Sequence, residues 1–365
     1  MKTVQLHEPL VVREDSWLLN RSREIAGYRF EITPYPRTFP TATLGRPYGL
    51  TSPLTAFGML TLPPGSRDIR ITDCEFVGPW DSILDVPHIP PGNPRFLRGI
   101  DMYYSTGIRV EGVQFENLPH TSIRMEACQG ISLEDVWGRR CRQLVKADWM
   151  GTPRCRWITM NRLHFADGWA FPKEPAYNSL YDPRRGIGAN AVGGYYVDSS
   201  ISRVTTSGEV KAALKLTCPV RVDVTKCDLV EMMQQGSLNW DDDQGPVAFD
   251  GFDDSHGIWA KDVTYRDCTV RAAQSAWLQT EHRNPIQWSY RAENIRWIGG
   301  VIHRSAERQR PGIQLVDGVE ADFRDALFVG WDGPDGVVDL RDYGKPASLP
   351  ATINADFGSV NRFRE

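Results

Sequence analysis

The sequence predicts an all-β solenoid, in which short parallel strands stack into one continuous core. Three observations predict it: a short apolar frame that recurs along the chain, intervals of 23 to 41 residues between copies, and an Asn, Asp or Gly near the middle of most copies. Recurrence at about 20 to 50 residues is the signature of repeat units that bury their apolar faces only against one another.

The frame is clearest in Asp68–Phe76, DIRITDCEF, whose apolar positions are Ile69, Ile71, Cys74 and Phe76. GIRVEGVQF repeats it with Ile108, Val110, Val113 and Phe115; GISLEDVWG with Ile131, Leu133 and Val136; WITMNRLHF with Ile158, Met160, Leu163 and Phe165. A weaker copy holds Ile201 and Val204, followed by Val222, Val224, Cys227 and Leu229. GIWAKDVTY then places Ile258, Ala260, Val263 and Tyr265 in the frame, NIRWIGGVI places Ile295, Trp297 and Ile302, and EADFRDALF places Ala321, Phe323, Ala326 and Phe328. Apolar and polar residues alternate, as on a strand, and the alternation skips once mid-frame. Asp73, Gly112, Asp135, Asn161, Thr225, Asp262 or Gly299 lies near that skip, and Asn, Asp and Gly tolerate the tight backbone of a corner. Each unit therefore reads as strand, corner, strand.

Residues 1–57 are Pro-rich and lack the frame, which suits an N-terminal cap with the first irregular coils. Residues 58–328 are the coils, and 329–365 a last coil with a closing tail. The longer intervals carry loop insertions on one face, at 87–96, 167–188, 234–246 and 281–290.

A further strand precedes each frame. Aligning GIDMY, SIRMEA, LVKADW, ALKLT, VAFDGF, WLQTEH and GIQLV gives an outward column of Asp101, Arg124, Lys146, Lys215, Asp250, Gln279 and Gln314. Beside it runs a second column of Tyr103, Glu126, Asp148, Thr217 and Glu281, and Asn190 is aligned with the coil between Lys146 and Lys215. The insertions add Trp169, Trp240 and Trp288, whose flat rings beside a polar ladder suit sugar binding. Each aromatic could equally anchor its own loop, and each charged rung could be one half of a solvated cross-strand pair.

The chain of 365 residues is 41% hydrophobic, with 32 Gly, 25 Pro and a net charge of −4. That balance gives no general attraction to nucleic acid, and no apolar run reaches the roughly 20 residues of a membrane span. The first residues, MKTVQLHEPLVVRED, contain no apolar segment of secretory-signal length. The seven cysteines show no zinc-type spacing, and we read them as small buried hydrophobes made in a reducing setting.

The frame and its corners, from Met59 to Phe328, resemble the right-handed parallel β-helix of the pectate-lyase-like superfamily, which winds a single chain into coils. That resemblance implies a protein that handles polysaccharide, by hydrolysis, by β-elimination or by binding alone. The Asp-Asp and His-Gly pairs of FDDSHGI resemble elements of β-helix polygalacturonases, whereas their Asn-Thr-Asp and Arg-Ile-Lys elements are not found at the expected coils. Hydrolysis needs two carboxylates. Asp250 with Asp243 or Asp148 could supply them, and His256 could move a proton. Arg124, Lys146 and Lys215 would hold the carboxylates or sulfates of an acidic glycan, with Glu126, Asp101, Tyr103, Gln279, Glu281 and the tryptophans completing the binding surface. Elimination would instead use Lys215 or Lys146 as the base, with calcium as the cation that the Asp-rich turn would hold; hydrolysis requires no cofactor. The third expectation is a trimeric phage tail spike. The implied setting is accordingly extracellular or virion-borne, with a polysaccharide partner, no nucleic acid and no membrane insertion.

Overall fold

In a computed structural model of the protein, the described residues are 1–32, 42–44, 55–56, 58–78, 97–148, 154–168, 190–208, 210, 212–230, 232–235, 259–271, 286–289, 292–304, 312–316, 319–330, 337–341, 352–355 and 363–364. Within them every strand pairing is parallel except one short hairpin, Ala42–Thr43 with Thr55–Ala56. Eleven strands form one wall and twenty-one form a second that bends round the rest of each coil.

The apolar frame dictates this stacking because each frame position meets its own equivalent on the next coil. On the larger sheet one column runs Ile25, Ile71, Val110, Leu133, Met160, Ile201, Val224, Tyr265, Trp297 and Phe323, each directly in register with the next. On the eleven-stranded wall Leu60, Ile100, Ile123, Val145, Val192 and Leu214 make the facing column. These side chains are buried. Each contributes roughly 1.5–3 kcal/mol by leaving water. Rings stack where the column is aromatic: Phe30, Phe76 and Phe115 sit 4.9 and 5.0 Å apart between centroids.

The corners are left-handed, as the sequence predicts, and in some coils they are shifted by one residue. Asp73, Gly112 and Asp135 have positive φ; in the next coils Arg162, Arg203 and Lys226 take this place, not Asn161 or Thr225. A left-handed Arg costs about 1–2 kcal/mol. It is held there by ladder hydrogen bonds on both sides and by its neighbour's charge, since Arg162 Nη2 donates to Asp135 Oδ2 at 2.7 Å and Arg221 Nη2 to Asp198 Oδ2 at 2.9 Å.

Three further assignments are corrected. The frame around 260 starts five residues later than predicted: Val263, Tyr265, Cys268 and Val270 occupy it, pairing Val263 with Val222 and Val270 with Leu229. Ala260 stands beside Ala292 instead. The N-terminal region, read as irregular, already contains a regular rung in which Ile25 and Phe30 lie on Ile71 and Phe76. Ile286–Ser289, read as part of an insertion, is a strand of the eleven-stranded wall.

All seven cysteines are free and buried. The thiols of Cys74, Cys128, Cys141, Cys227 and Cys268 each donate to the carbonyl two residues earlier, at 3.2 to 3.4 Å. Cysteine thus acts as a small core residue that also satisfies a carbonyl beside the turn.

Candidate functional site

The outward positions of three consecutive strands, Arg98–Tyr103, Thr121–Glu126 and Gln143–Asp148, bring six charged groups together. Strand alternation sends Ile100, Ile123 and Val145 into the core and turns their neighbours to the other face. Asp101 therefore pairs with Arg124, Arg124 with Lys146, and Glu126 with Asp148, as the sequence alignment predicts.

Arg124 is the centre of this group. Its Nη2 donates to Glu126 Oε2 at 2.7 Å, its Nε to Asp148 Oδ2 at 2.5 Å, and its guanidinium carbon lies 5.2 Å from the centre of the Tyr103 ring. Lys146 Nζ lies 2.7 Å from Asp148 Oδ1. Arg98 Nη1 and Tyr103 Oη both donate to Asp101, each at 3.3 Å. Arg98 was not among the residues singled out from sequence: three residues from Asp101, it falls on the opposite face by strict alternation, so no strand pattern signals it. His120 and Gln143 were missed as well. Gln143 Oε1 accepts from Thr121 Oγ1 at 3.1 Å, and His120 Nδ1 lies 3.0 Å from the same hydroxyl.

The wall is not the open ladder that the sequence predicts. Asp101, Tyr103, Arg124 and Glu126 are at most 5% exposed, while Asp148 and Lys146 keep 16% and 33% of their side-chain surface. Leu44, next to the short hairpin, packs with Tyr103, Val11 and Tyr104 over the first coils. The network is thus closed at its N-terminal end and reaches solvent through Asp148 and Lys146.

Burial and charge pull the two carboxylates apart. Burial pushes the Glu126 carboxyl up, and the nearby Asp148 charge adds to this, against the opposing pull of Arg124. Burial alone would also raise Asp148, but Lys146 and Arg124 outweigh it and hold that carboxyl well below the usual range. Burial likewise works against the Arg124 charge, and Asp148, Tyr103, Asp101 and Glu126 overcome it, so Arg124 stays protonated. His120 is held neutral by burial and by the positive charges of Arg142, Arg98 and Lys146.

Beyond Lys146 the column continues through Gly193 to Lys215, two rungs on. Asn190 belongs to this intermediate coil, as the sequence alignment has it, where it pairs with Gln143 while Gly193 occupies the column itself. Gly194 has φ +106°, and a Cβ built on it would lie 1.9 Å from the Ala147 carbonyl oxygen, so only glycine fits this close approach. The rung after Lys215 is Met233, not Asp250, and the next is Gln287, not Gln279. Trp288, predicted on a loop, stands in strand register with Leu315. Asp250, Asp243, His256, Gln279, Glu281, Trp169 and Trp240 lie outside the described residues. Among the described residues no group of three His, Cys, Asp or Glu could hold a metal ion, and no helix is long and apolar enough to cross a membrane.

No family model matches the sequence, and no curated protein does. Solved structures do. The Agl-KA catalytic domain superposes with a TM-score of 0.52 and 9% identity, over 96% of this chain and 61% of that one. The fold is the right-handed parallel β-helix. The β-helix described here thus spans about 61% of the length of that domain. Lower scores are found for the family 28 exopolygalacturonase of Yersinia enterocolitica, at 0.42 and 9% identity over 99% of this chain and 71% of that one. The catalytic domain of a GH87 α-1,3-glucanase in complex with nigerose scores 0.43, at 9% identity over 99% and 63%. At such identities the likeness shows the β-helix fold alone.

Proposed function

We propose that this β-helix binds an extended acidic polysaccharide along its eleven-stranded wall and hydrolyses it. Asp148, which reaches solvent, serves as the ionised carboxylate, and the buried Glu126 is its neighbour of higher proton affinity. The observation that carries this reading is the contrast between them: two carboxylates on adjacent rungs, touching one guanidinium, are pushed in opposite directions. A pair of carboxyls with separated proton affinities is what glycoside hydrolysis requires, one to protonate the leaving oxygen and one to attack or activate water. Asp148 keeps lone pairs beyond those used by Arg124 and Lys146, so it can still accept a hydrogen bond from a water or a substrate hydroxyl. The acidic substrate class rests on Lys146 and Lys215, about 10 Å apart across two rungs, with side-chain-free Gly193 between them.

Elimination is less favoured, because Lys146 is committed to Asp148 and that ion pair would have to break before Lys146 could act as base. The test is incubation of the full chain with polygalacturonate, alginate and a sulfated galactan, following reducing ends and near-ultraviolet absorbance together. Reducing ends should appear without the absorbance of a new double bond, and Asp148→Asn should slow their release by about a hundredfold or more. A rising absorbance would make the protein a lyase, and binding without turnover would place it with the receptor-binding spikes. Full activity in Asp148→Asn would remove the assignment.

A further inference from the structure

A second recognition feature lies on the other sheet. Trp137 follows core residue Val136, so strand alternation turns its ring outward, and it is 52% exposed. A single exposed aromatic would mean little. Here, however, the ring ends a groove of about 260 Å³ that crosses four coils, with Gln114, Glu75, Glu116, Arg29 and Arg139 along it. The register fixes their order: Arg29 lies beside Glu75, Glu75 beside Gln114, Gln114 beside Trp137, and Glu116 beside Arg139. On the far side Trp137 rests on His164, 4.3 Å between ring centroids, which sets the angle of the indole.

The groove is balanced in charge, with two arginines and two glutamates along it. A strongly anionic or cationic ligand therefore finds no net attraction there. What the lining offers is a flat aromatic face beside planar amide, carboxylate and guanidinium groups, spaced about 4.8 Å apart by the coil rise. Sugar hydroxyls both donate and accept, and the C–H face of a pyranose is apolar, so a neutral sugar chain matches each element. The volume suits a short stretch of such a chain rather than a protein surface.

We infer that the groove at Trp137 is a binding site for a neutral glycan, separate from the wall that carries Asp148. The inference does not depend on catalysis at that wall. It makes the β-helix a two-faced glycan protein, one face for an acidic chain and one for a neutral chain.

The experiment passes the full chain over immobilised neutral hexasaccharides of glucose, mannose, xylose and galactose. Retention on at least one is expected, and it should survive added salt. Trp137→Ala should weaken it by about tenfold or more, with Trp137→Phe in between. Gln114→Ala, on the adjacent rung, should weaken it as well. Trp137→Ala should leave the thermal midpoint and any cleavage of acidic substrate unchanged, which separates this site from the proposed catalytic one. Absence of retention on all four, retention unchanged in Trp137→Ala, or retention abolished by salt would each overturn the inference.

Discussion

Glu126 and Asp148 are register partners on neighbouring coils, and both accept from the guanidinium of Arg124. They nevertheless differ in proton affinity, because Asp148 has Lys146 as a second cation. One guanidinium serves three carboxylates, counting Asp101, and cannot neutralise all of them equally.

The two carboxylates should leave opposite marks on stability against pH. Asp148 has a depressed folded-state pKa, so its contribution is present above its unfolded value of about 3.9 and is lost as pH falls through the folded value. Glu126 has a raised one, so its contribution is complete below about 4.3 and is lost as pH rises through the folded value. Glu126→Gln should therefore gain stability relative to the parent as pH rises from 4 towards neutrality. Asp148→Asn should lose most at neutral pH and converge on the parent in acid. Urea unfolding across that range checks both, and a pH-independent difference for either variant would contradict the assignment.

Arg124 should be structurally costly to remove. Arg124→Met leaves the buried Glu126 without its ion-pair partner and Asp148 with Lys146 alone, and about 3–5 kcal/mol of stability should go with it. Adding Glu126→Gln to that variant should recover part of the loss. Equilibrium unfolding of the single and double variants measures the coupling.

Neighbouring glycines on one strand should behave differently. Gly194→Ala forces a Cβ into the Ala147 carbonyl at a left-handed φ and should cost about 3 kcal/mol or more. Gly193→Ala meets nothing nearer than 3.5 Å and should change stability by about 1 kcal/mol at most. It should nevertheless weaken binding of an acidic glycan, by putting a methyl between Lys146 and Lys215. Thermal melts and binding isotherms on the same two variants separate these effects.

The thiols should be silent in the folded protein. All seven are at most 2% exposed, and burial pushes the Cys141 thiol up to about 11. A thiolate-selective reagent at neutral pH should label none of them natively and all seven in denaturant. Rapid native labelling of any one would mark a coil that opens locally.

The sequence by itself determined the winding. Ile69, Ile71, Cys74 and Phe76 repeat at the spacing that puts each on its own equivalent, so the core columns and the pairing of Glu126 with Asp148 follow from alternation. It could not fix the register where alternation offers two solutions. Ile258 and Ala260 fit the frame as well as Cys268 and Val270 do, and only pairing with Val222 and Leu229 chooses between them. The same ambiguity let Asp250 stand where Met233 does, because both segments alternate and an insertion separates them. Tertiary structure alone decided which outward residues meet water: Leu44, far away in sequence, covers Tyr103, while Trp137 is left exposed beside a groove built from four coils. Periodicity is a local property that the chain carries in itself, whereas burial and proton affinity are sums over neighbours that folding supplies.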